Sequence, residues 1–240
     1  MITNDLSAGV TEVIILAGGM GTRLRDSIDK LPKPMAPVNG KPFLFHLLTW
    51  LKNYNVEKII LSTGYRSESI TGYFGDSFSG IPVGYAVEHK ALGTGGAIMF
   101  AMQKCTSDNI VVVNGDTFFP INLDKFFRFH EKMGNIFSIA LKPMKDVSRY
   151  GTVECEGDTI LGFNEKRLCK EGLINGGIYI INREFLGSQK LPETFSIESD
   201  VLEKLAGSSL LKCMIFDEPF IDIGIPEDYY RAGDFLKGLK

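Results

Sequence analysis

The sequence is poor in the residues that build metal clusters and disulfide frameworks. Its 240 residues include four cysteines and three histidines. Cys105, Cys155, Cys169 and Cys213 form no C-x-x-C pair, and His46, His89 and His130 are scattered. Neither a zinc site nor a stapled secreted scaffold is expected; free thiols in a reducing compartment are. A basic excess is missing too. Lys+Arg number 26 against 29 Asp+Glu, a net charge of -3, which argues against a general nucleic-acid binder. No apolar run approaches the ~20 residues of a membrane span. Met1 to Gly9 lacks the basic and apolar regions of a secretory signal, so a cytoplasmic protein with no membrane partner is expected. With 44% hydrophobic and 23% charged residues, the chain has the make-up of a globular protein rather than a disordered one.

No repeat or linker interrupts the chain, which predicts one domain over residues 1–240. Glu12 to Leu16, Lys58 to Ser62 and Ile110 to Val113 are short apolar runs bounded by turn residues, the pattern of buried strands. Pro42 to Lys52 places Phe43, Leu44, Leu47, Leu48 and Leu51 on one helical face. Ser67 to Phe74 reads as a helix with Ser67 as its N-cap. Gly93 to Gln103 and Leu123 to Met133 are further helices. The second half is richer in strands, at Ile136–Leu141, Gly151–Glu154, Thr159–Phe163, Gly176–Ile181, Lys212–Phe216 and Phe220–Ile223. Helices are expected at Ser199–Leu205 and from Pro226, where Glu227 and Asp228 suit the positive end of the helix. Alternating strands and helices predict an α/β fold with a mostly parallel central sheet flanked by helices. Ligands of such sheets bind beyond the carboxyl ends of the strands, which directs attention to the loops that follow them.

The first of these loops reads Leu16-Ala17-Gly18-Gly19-Met20-Gly21-Thr22-Arg23. Glycines directly after a strand let bare N–H groups approach an anion, and Arg23 adds a positive fork suited to phosphate. The dinucleotide fingerprint fails, because Leu24 stands where its third glycine belongs and Leu61-Ser62-Thr63-Gly64 supplies no ribose acid. A Walker loop fails for want of Gly-Lys-Ser/Thr. Lys33 is held between Pro32 and Pro34. Asp116 and Asp222 each follow an apolar run, where an aspartate is either bonded to its own turn or liganded. Two carboxylates at a sheet edge would suit Mg²⁺, which keeps phosphate and water as its other ligands. Glu88 leads into Gly93-Thr94-Gly95-Gly96, whose glycines serve either a flat base or close packing. Glu165 and Lys166 form an acid–base couple that reads either as a surface ion pair or as a clamp for a sugar phosphate.

In order along the chain, Gly18–Leu24, Pro32-Lys33-Pro34, Gly93–Ala97, Asn114-Gly115-Asp116, Glu165-Lys166, Asn175-Gly176-Gly177 and Asp222-x-Gly224-x-Pro226-Glu227-Asp228-Tyr229 resemble the sugar-1-phosphate nucleotidyltransferases. The resemblance implies a Rossmann-like, GT-A-like domain. Residues of about 1–120 would bind nucleotide, and a small α+β part of about 121–240 would bind the sugar phosphate. It implies an enzyme that uses Mg²⁺, a nucleoside triphosphate and a sugar 1-phosphate. Arg23 and Lys33 would be catalytic. Leu16, Ala17, Gly18, Gly19, Met20, Gly21, Thr22, Arg23, Glu88, Gly93, Thr94, Gly95 and Asp116 would bind the nucleotide. Gly151, Glu165, Lys166 and Asn175 would bind the sugar phosphate, and Asp116 and Asp222 the metal.

Within the family, segments such as Asp29–Pro37, Asn114–Phe119, Arg149–Val153 and Phe220–Tyr230 are most similar to guanylyltransferases acting on a manno-heptose 1-phosphate, so GTP is the expected donor. A uridylyl- or thymidylyltransferase for a hexose or amino sugar is the enzyme alternative, and a regulatory nucleotide-sugar-binding paralogue the non-enzyme one. Ile225 replaces the threonine that caps the last helix in many relatives. The sequence stops at Lys240 without the long C-terminal extension of many hexose-specific relatives, so acetyltransferase activity is not expected; a homo-oligomer stays open.

Overall fold

The computed structural model describes residues 12–19, 31–165 and 170–239. The fold grows from the apolar runs. Strand β1 (Glu12–Leu16) is followed by a short hairpin of β2 (Pro37–Val38) and β3 (Lys41–Pro42), then by helix α1 (Phe43–Leu51). Next come β4 (Lys58–Thr63), α2 (Ser67–Phe74), β5 (Ser77–Phe78), β6 (Ile81–Val87), α3 (Gly93–Met102) and β7 (Asn109–Asn114). In these strands successive apolar residues serve opposite faces. Val13 and Ile15 join a core with Leu47 of α1, whereas Ile14 joins a second core with Ile98 of α3. Both faces are covered, and that is why the strands lack polar alternation. On α1, Phe43, Leu44, Leu47, Leu48 and Leu51 are all fully buried. Each such side chain contributes about 1.5–3 kcal/mol, an upper bound for burial.

The second half adds β8 (Thr117–Phe118), α4 (Leu123–Lys132), β9 (Phe137–Lys145), β10 (Thr152–Glu156), β11 (Thr159–Asn164), β12 (Glu171–Asn182), α5 (Arg183–Ser188), a π-helical turn (Glu198–Leu202) running into α6 (Glu203–Leu205), β13 (Leu211–Ile215), β14 (Ile221–Asp222) and α7 (Pro226–Lys237). Ten strands form one sheet in the order β10-β11-β13-β9-β12-β7-β1-β4-β6-β5. The pairs β7–β1, β1–β4 and β4–β6 are parallel, as helical crossovers require. Beyond β7 the sheet becomes mixed, because β12 runs antiparallel to both β7 and β9 while β13 is parallel to β9. The parallel architecture therefore belongs to the first half.

Three local expectations are refined. The cap of α2 is not Ser67. Arg66 precedes the helix in the left-handed region at φ 51°, and no side chain caps it. The helix expected at Ser199–Leu205 opens as a π turn at Glu198. Strand β12 extends from Glu171, well before Gly176, with a register shift between Asn175 and Tyr179. At α7, Ile225 provides no side-chain cap, as anticipated, and Pro226 occupies the first turn.

Candidate functional site

Strand register levels the carboxyl ends that build the site. Leu16 pairs with Ser62 and with Asn114, and Thr63 pairs with Val87. The loops leaving these ends surround a cleft of about 640 Å³. Its lining includes Leu16, Gly18, Gly19, Lys33, Glu88, Gly93, Thr94 and Asp116. Sequence reasoning did not select Ser62, Tyr65 or Asn114, which also line it. Ser62 and Asn114 pair directly with Leu16 on either side of it, and their placement follows only from the pairing. Met20, Gly21, Thr22 and Arg23 lie outside the described residues, as does Lys166.

On one wall the cleft carries charge. Lys33 opens a short 3₁₀ turn, Lys33–Met35, entered through Pro32. Its Nζ lies 2.9 Å from Asp116 Oδ2. Asp116 is carried by the turn after β7, where Gly115 N–H donates to Leu16 O at 3.0 Å. A Cβ on Gly115 would sit 2.5 Å from that oxygen, so glycine is needed for this approach. Asp222 arrives from the far end of the chain. Antiparallel pairing of β14 with β8 sets Asp222 opposite Thr117, and Ile223 N–H donates to Asp116 O at 2.9 Å. Asp222 Oδ1 accepts from Gly224 N–H at 2.7 Å. A Cβ on Gly224 would lie 2.7 Å from Asp222 Oδ1 and 2.8 Å from Lys33 Nζ. Lys33, Asp116 and Asp222 thus form one cluster. Burial and the neighbouring Asp116 push the Asp222 carboxyl up to about 6, against Gly224 N–H and Lys33. Tyr150 faces the same acids. Its hydroxyl is buried without a hydrogen-bond partner among the described residues, and burial with Asp222 and Asp228 raises its pKa.

The opposite wall holds Glu88. Its Oε2 accepts from Leu92 N–H at 3.1 Å and its Oε1 from the Ser62 hydroxyl at 3.3 Å. Burial raises its pKa despite these bonds. A Cβ on Gly18 would approach Glu88 Oε1 to 3.1 Å, so the first glycine loop and Glu88 share one corner.

The glycines after Glu88 each have a packing reason. Gly95 N–H donates to Phe195 O at 3.0 Å, and a Cβ on Gly95 would collide with the Phe195 ring. Gly93 has φ +72° and faces the Phe195 carbonyl, and Gly96 faces Glu193 O. A strap at residues 193–198 therefore lies against this loop. Gly93 and Thr94 still line the cleft; Gly95 is buried beneath the strap and does not. Ala17 is also buried, and its N–H extends the ladder to Ser62 O at 2.7 Å.

Three of the residues assigned to a sugar phosphate lie around Thr152, which pairs with both Asn164 and Ile174. That places Gly151, Glu165 and Asn175 at one end of β10. A Cβ on Gly151 would be 2.9 Å from Asn164 O, so this glycine has a packing reason of its own. Glu165 is exposed. Asn175 donates to the Tyr179 hydroxyl at 2.8 Å and accepts from Gly177 N–H at 3.0 Å. Gly177, at φ +73°, is pressed against Asn114, and Gly176 against the Phe119 ring.

Two carboxylates beside one lysine are a donor set that fits a hard divalent cation. No group of three or more His, Cys, Asp or Glu capable of holding a metal occurs among the described residues. The protein would therefore supply two carboxylates and leave the other positions to phosphate and water, which is how Mg²⁺ is usually held. Cys105, Cys155 and Cys213 are free thiols. No helix among the described residues is long and apolar enough to cross a membrane.

Known proteins are similar to this chain. A D-glycero-alpha-D-manno-heptose 1-phosphate guanylyltransferase of Aneurinibacillus thermoaerophilus is 46% identical over 221 residues, covering 92% of this chain and 96% of the relative. The protein of the same name from Campylobacter jejuni is 45% identical, covering 92% and 97%. The crystal structure of HddC from Yersinia pseudotuberculosis complexed with GMP-PN superposes with a TM-score of 0.84 at 35% identity, covering 94% of this chain and 99% of that one. The nucleotidyl transferase family profile matches residues 12–238. With its α/β sheet, its levelled strand ends and its acid–lysine cluster, this chain belongs to the nucleotidyl transferase family.

Proposed function

We propose that the protein transfers GMP from GTP to D-glycero-α-D-manno-heptose 1-phosphate, giving GDP-heptose and pyrophosphate. The observation that carries this reading is the convergence of a glycine loop, an acceptor-only carboxylate and the Lys33–Asp116 pair around one cleft, with Asp222 beside that pair. The names of the two relatives at 46% and 45% identity, and the guanine nucleotide analogue in the HddC structure, support the choice of substrates. The single chain works as one domain. Residues of about 1–120 hold the nucleotide and residues of about 121–240 the sugar phosphate. Its place is the bacterial cytoplasm, in the supply of activated heptose for surface polysaccharide.

The chemistry needs little from a general base, because the attacking phosphate is already an anion. One of its oxygens forms a bond to the α-phosphorus of GTP, and the bond from that phosphorus to the β-bridging oxygen breaks. Pyrophosphate carries away the electron pair. The obstacle is the approach of two polyanions, so positioning and charge neutralisation supply the rate. Gly18 and Gly19, with Gly21 and Arg23 of the same loop, hold the triphosphate. Lys33 neutralises charge near the reacting phosphorus. Asp116 and Asp222 would hold Mg²⁺, which would supply Lewis-acid charge stabilisation. Gly151, Glu165, Lys166 and Asn175 receive the sugar phosphate.

Glu88 explains the choice of base. A carboxylate only accepts hydrogen bonds. Guanine presents N1–H and its 2-amino group side by side, two donors for two oxygens. Uracil and thymine present one N–H flanked by carbonyls, which a carboxylate repels.

The test is pyrophosphate release with Mg²⁺ across GTP, UTP, dTTP, CTP and ATP, each against heptose, mannose, glucose and N-acetyl-amino-sugar 1-phosphates. Release confined to GTP with the manno-heptose 1-phosphate is expected. Release with UTP or dTTP and a hexose would overturn the substrates but keep the reaction. Silence from folded protein would favour a regulatory paralogue.

A further inference from the structure

Between the glycine loop and Glu88 the cleft has a wall that the reaction so far leaves unused. The strand order β1-β4-β6 sets the carboxyl end of β4 between the loop after β1 and Glu88 after β6. Gly64 marks the meeting point: a Cβ there would lie 3.6 Å from Gly18 O and 3.7 Å from Glu88 Cβ. Tyr65 follows it, half-buried, and lines the cleft. Among the described lining residues only Tyr65 and His89 carry aromatic rings, and His89 leaves β6, one strand further from the glycine loop. The Tyr65 ring is held in place. Ser67 N–H donates to Gly64 O at 3.2 Å, so Tyr65 and Arg66 form the centre of a tight turn. Arg66 takes the left-handed conformation at φ 51°, of the kind that gathers at ligand clamps. Its guanidinium carbon lies 5.8 Å from the Tyr65 ring centroid, within cation–π range. Among the described residues no other ring pairs with Tyr65, and its hydroxyl makes no hydrogen bond.

Position decides what this ring can take. A nucleotide with its base edge on Glu88 and its phosphates at Gly18 and Gly19 must cross the end of β4, where Tyr65 stands. The residues given to the sugar phosphate are elsewhere. Asn175 lies on β12, three strands from β4 and so about 14 Å across the sheet. Hydrogen bonds to Glu88 fix the edge of a base but leave its flat faces without a partner. An aromatic ring supplies one, and every base has a π-face to offer it. Building on the nucleotidyl-transfer reading, we propose that Tyr65 is a nucleotide-binding residue whose ring stacks on the base, with Arg66 bracing that ring.

Calorimetric binding of a non-hydrolysable GTP analogue, without sugar, reads the stack directly. Tyr65→Leu should weaken it about five- to hundredfold, the worth of one base–aromatic stack. Tyr65→Phe keeps the ring and should recover most of that loss. Arg66→Ala should weaken binding about two- to fivefold, the worth of an exposed cation–π contact. Base-free ribose 5-triphosphate should bind wild type and Tyr65→Leu within about threefold of each other. If Tyr65→Leu misfolds, Tyr65→Trp retains a ring and adds a reporter. The GTP analogue should quench its added indole emission and base-free triphosphate should not, with wild type giving the background of buried Trp50. Unchanged affinity of Tyr65→Leu for the analogue would overturn the proposal. An equal loss with the base-free triphosphate would overturn it too, by placing the ring against ribose or phosphate. None of these readouts needs turnover. A wild-type enzyme that binds the analogue but releases no pyrophosphate with any sugar 1-phosphate would refute the transfer reading alone, since the binding contrast still decides the stack. Failure to bind any nucleotide would refute both.

Discussion

Lys33 and Asp116 lie 83 positions apart in sequence, yet their side chains meet at 2.9 Å at the edge of the cleft. The lysine is held by a proline-flanked 3₁₀ turn and the aspartate by a glycine turn that leans on Leu16. Asp222 completes the group through a two-residue strand pairing. Removing the lysine would leave two facing carboxylates without a side-chain cation, and removing Asp116 would deprive the site of a charge and a candidate metal ligand.

Asp116→Ala should cost on the order of 3 kcal/mol of transition-state stabilisation, comparable with the loss of one oxyanion donor. Measured as kcat/KM for pyrophosphate release, that is a drop of about a hundredfold or more. Lys33→Ala should fall as far. Activity of Asp116→Ala within threefold of wild type would refute the role given to this cluster.

Glu88→Gln should erode the preference for GTP over UTP by about ten- to hundredfold, the worth of a hydrogen bond to a charged group. The ratio of kcat/KM for the two nucleotides reads this directly. Folding should hold, because a glutamine can still accept from Leu92 N–H. A ratio that does not move would detach Glu88 from base selection.

Gly95→Ala should destabilise the fold by about 1–3 kcal/mol, since the added methyl meets the Phe195 ring and an overpacked core must shift. Phe195→Leu in the same chain should recover part of that loss. Thermal unfolding of the single and double variants checks it. Independent, additive losses would mean that strap and loop do not bear on one another.

His130 gives a pH dependence. It is buried in α4, its Nδ1 is 2.9 Å from Ser138 Oγ, and its Nε2 has no partner among the described residues. Burial lowers its pKa from 6.5 to about 4. Between these values the unfolded chain binds a proton that the folded chain refuses, so stability falls as pH drops from 6.5 toward 4. At about 1.4 kcal/mol per pH unit the loss reaches roughly 3 kcal/mol at most. Denaturant unfolding at pH 7 and pH 4.5 should show a smaller loss in His130→Gln than in wild type. Equal losses in both would show that other groups carry the acid sensitivity.

The first half of the fold was legible because its signals are local. An all-apolar run such as Ile14-Ile15 can only be a strand covered on both sides, and the spacing of Leu44, Leu47, Leu48 and Leu51 suits only a helix with one buried face. The parallel pairing of β1, β4, β6 and β7 follows from the helices between them. The residues of the charged wall were legible for a similar reason. A charged residue set directly after an apolar strand, as at Asp116 and Asp222, is costly unless it has a task. The second half was less so, because the mixed strands from Phe137 to Ile215 carry no mark of their order. The bulge that turns Asn175 and the π turn at Glu198 leave no periodic trace.

The amino-acid sequence by itself determined the strands and helices, the glycine loop at a strand end and the acids available to the site. Only the tertiary structure decided which of these residues meet. It packed Gly95 against the Phe195 ring, set Glu198 against Thr94 and joined Lys33 to Asp116 and Asp222. The physical reason is range. Strand and helix preference is settled within a few residues by backbone geometry and burial pattern. The meeting of side chains a hundred positions apart depends on strand order and register, which emerge only when the whole sheet packs.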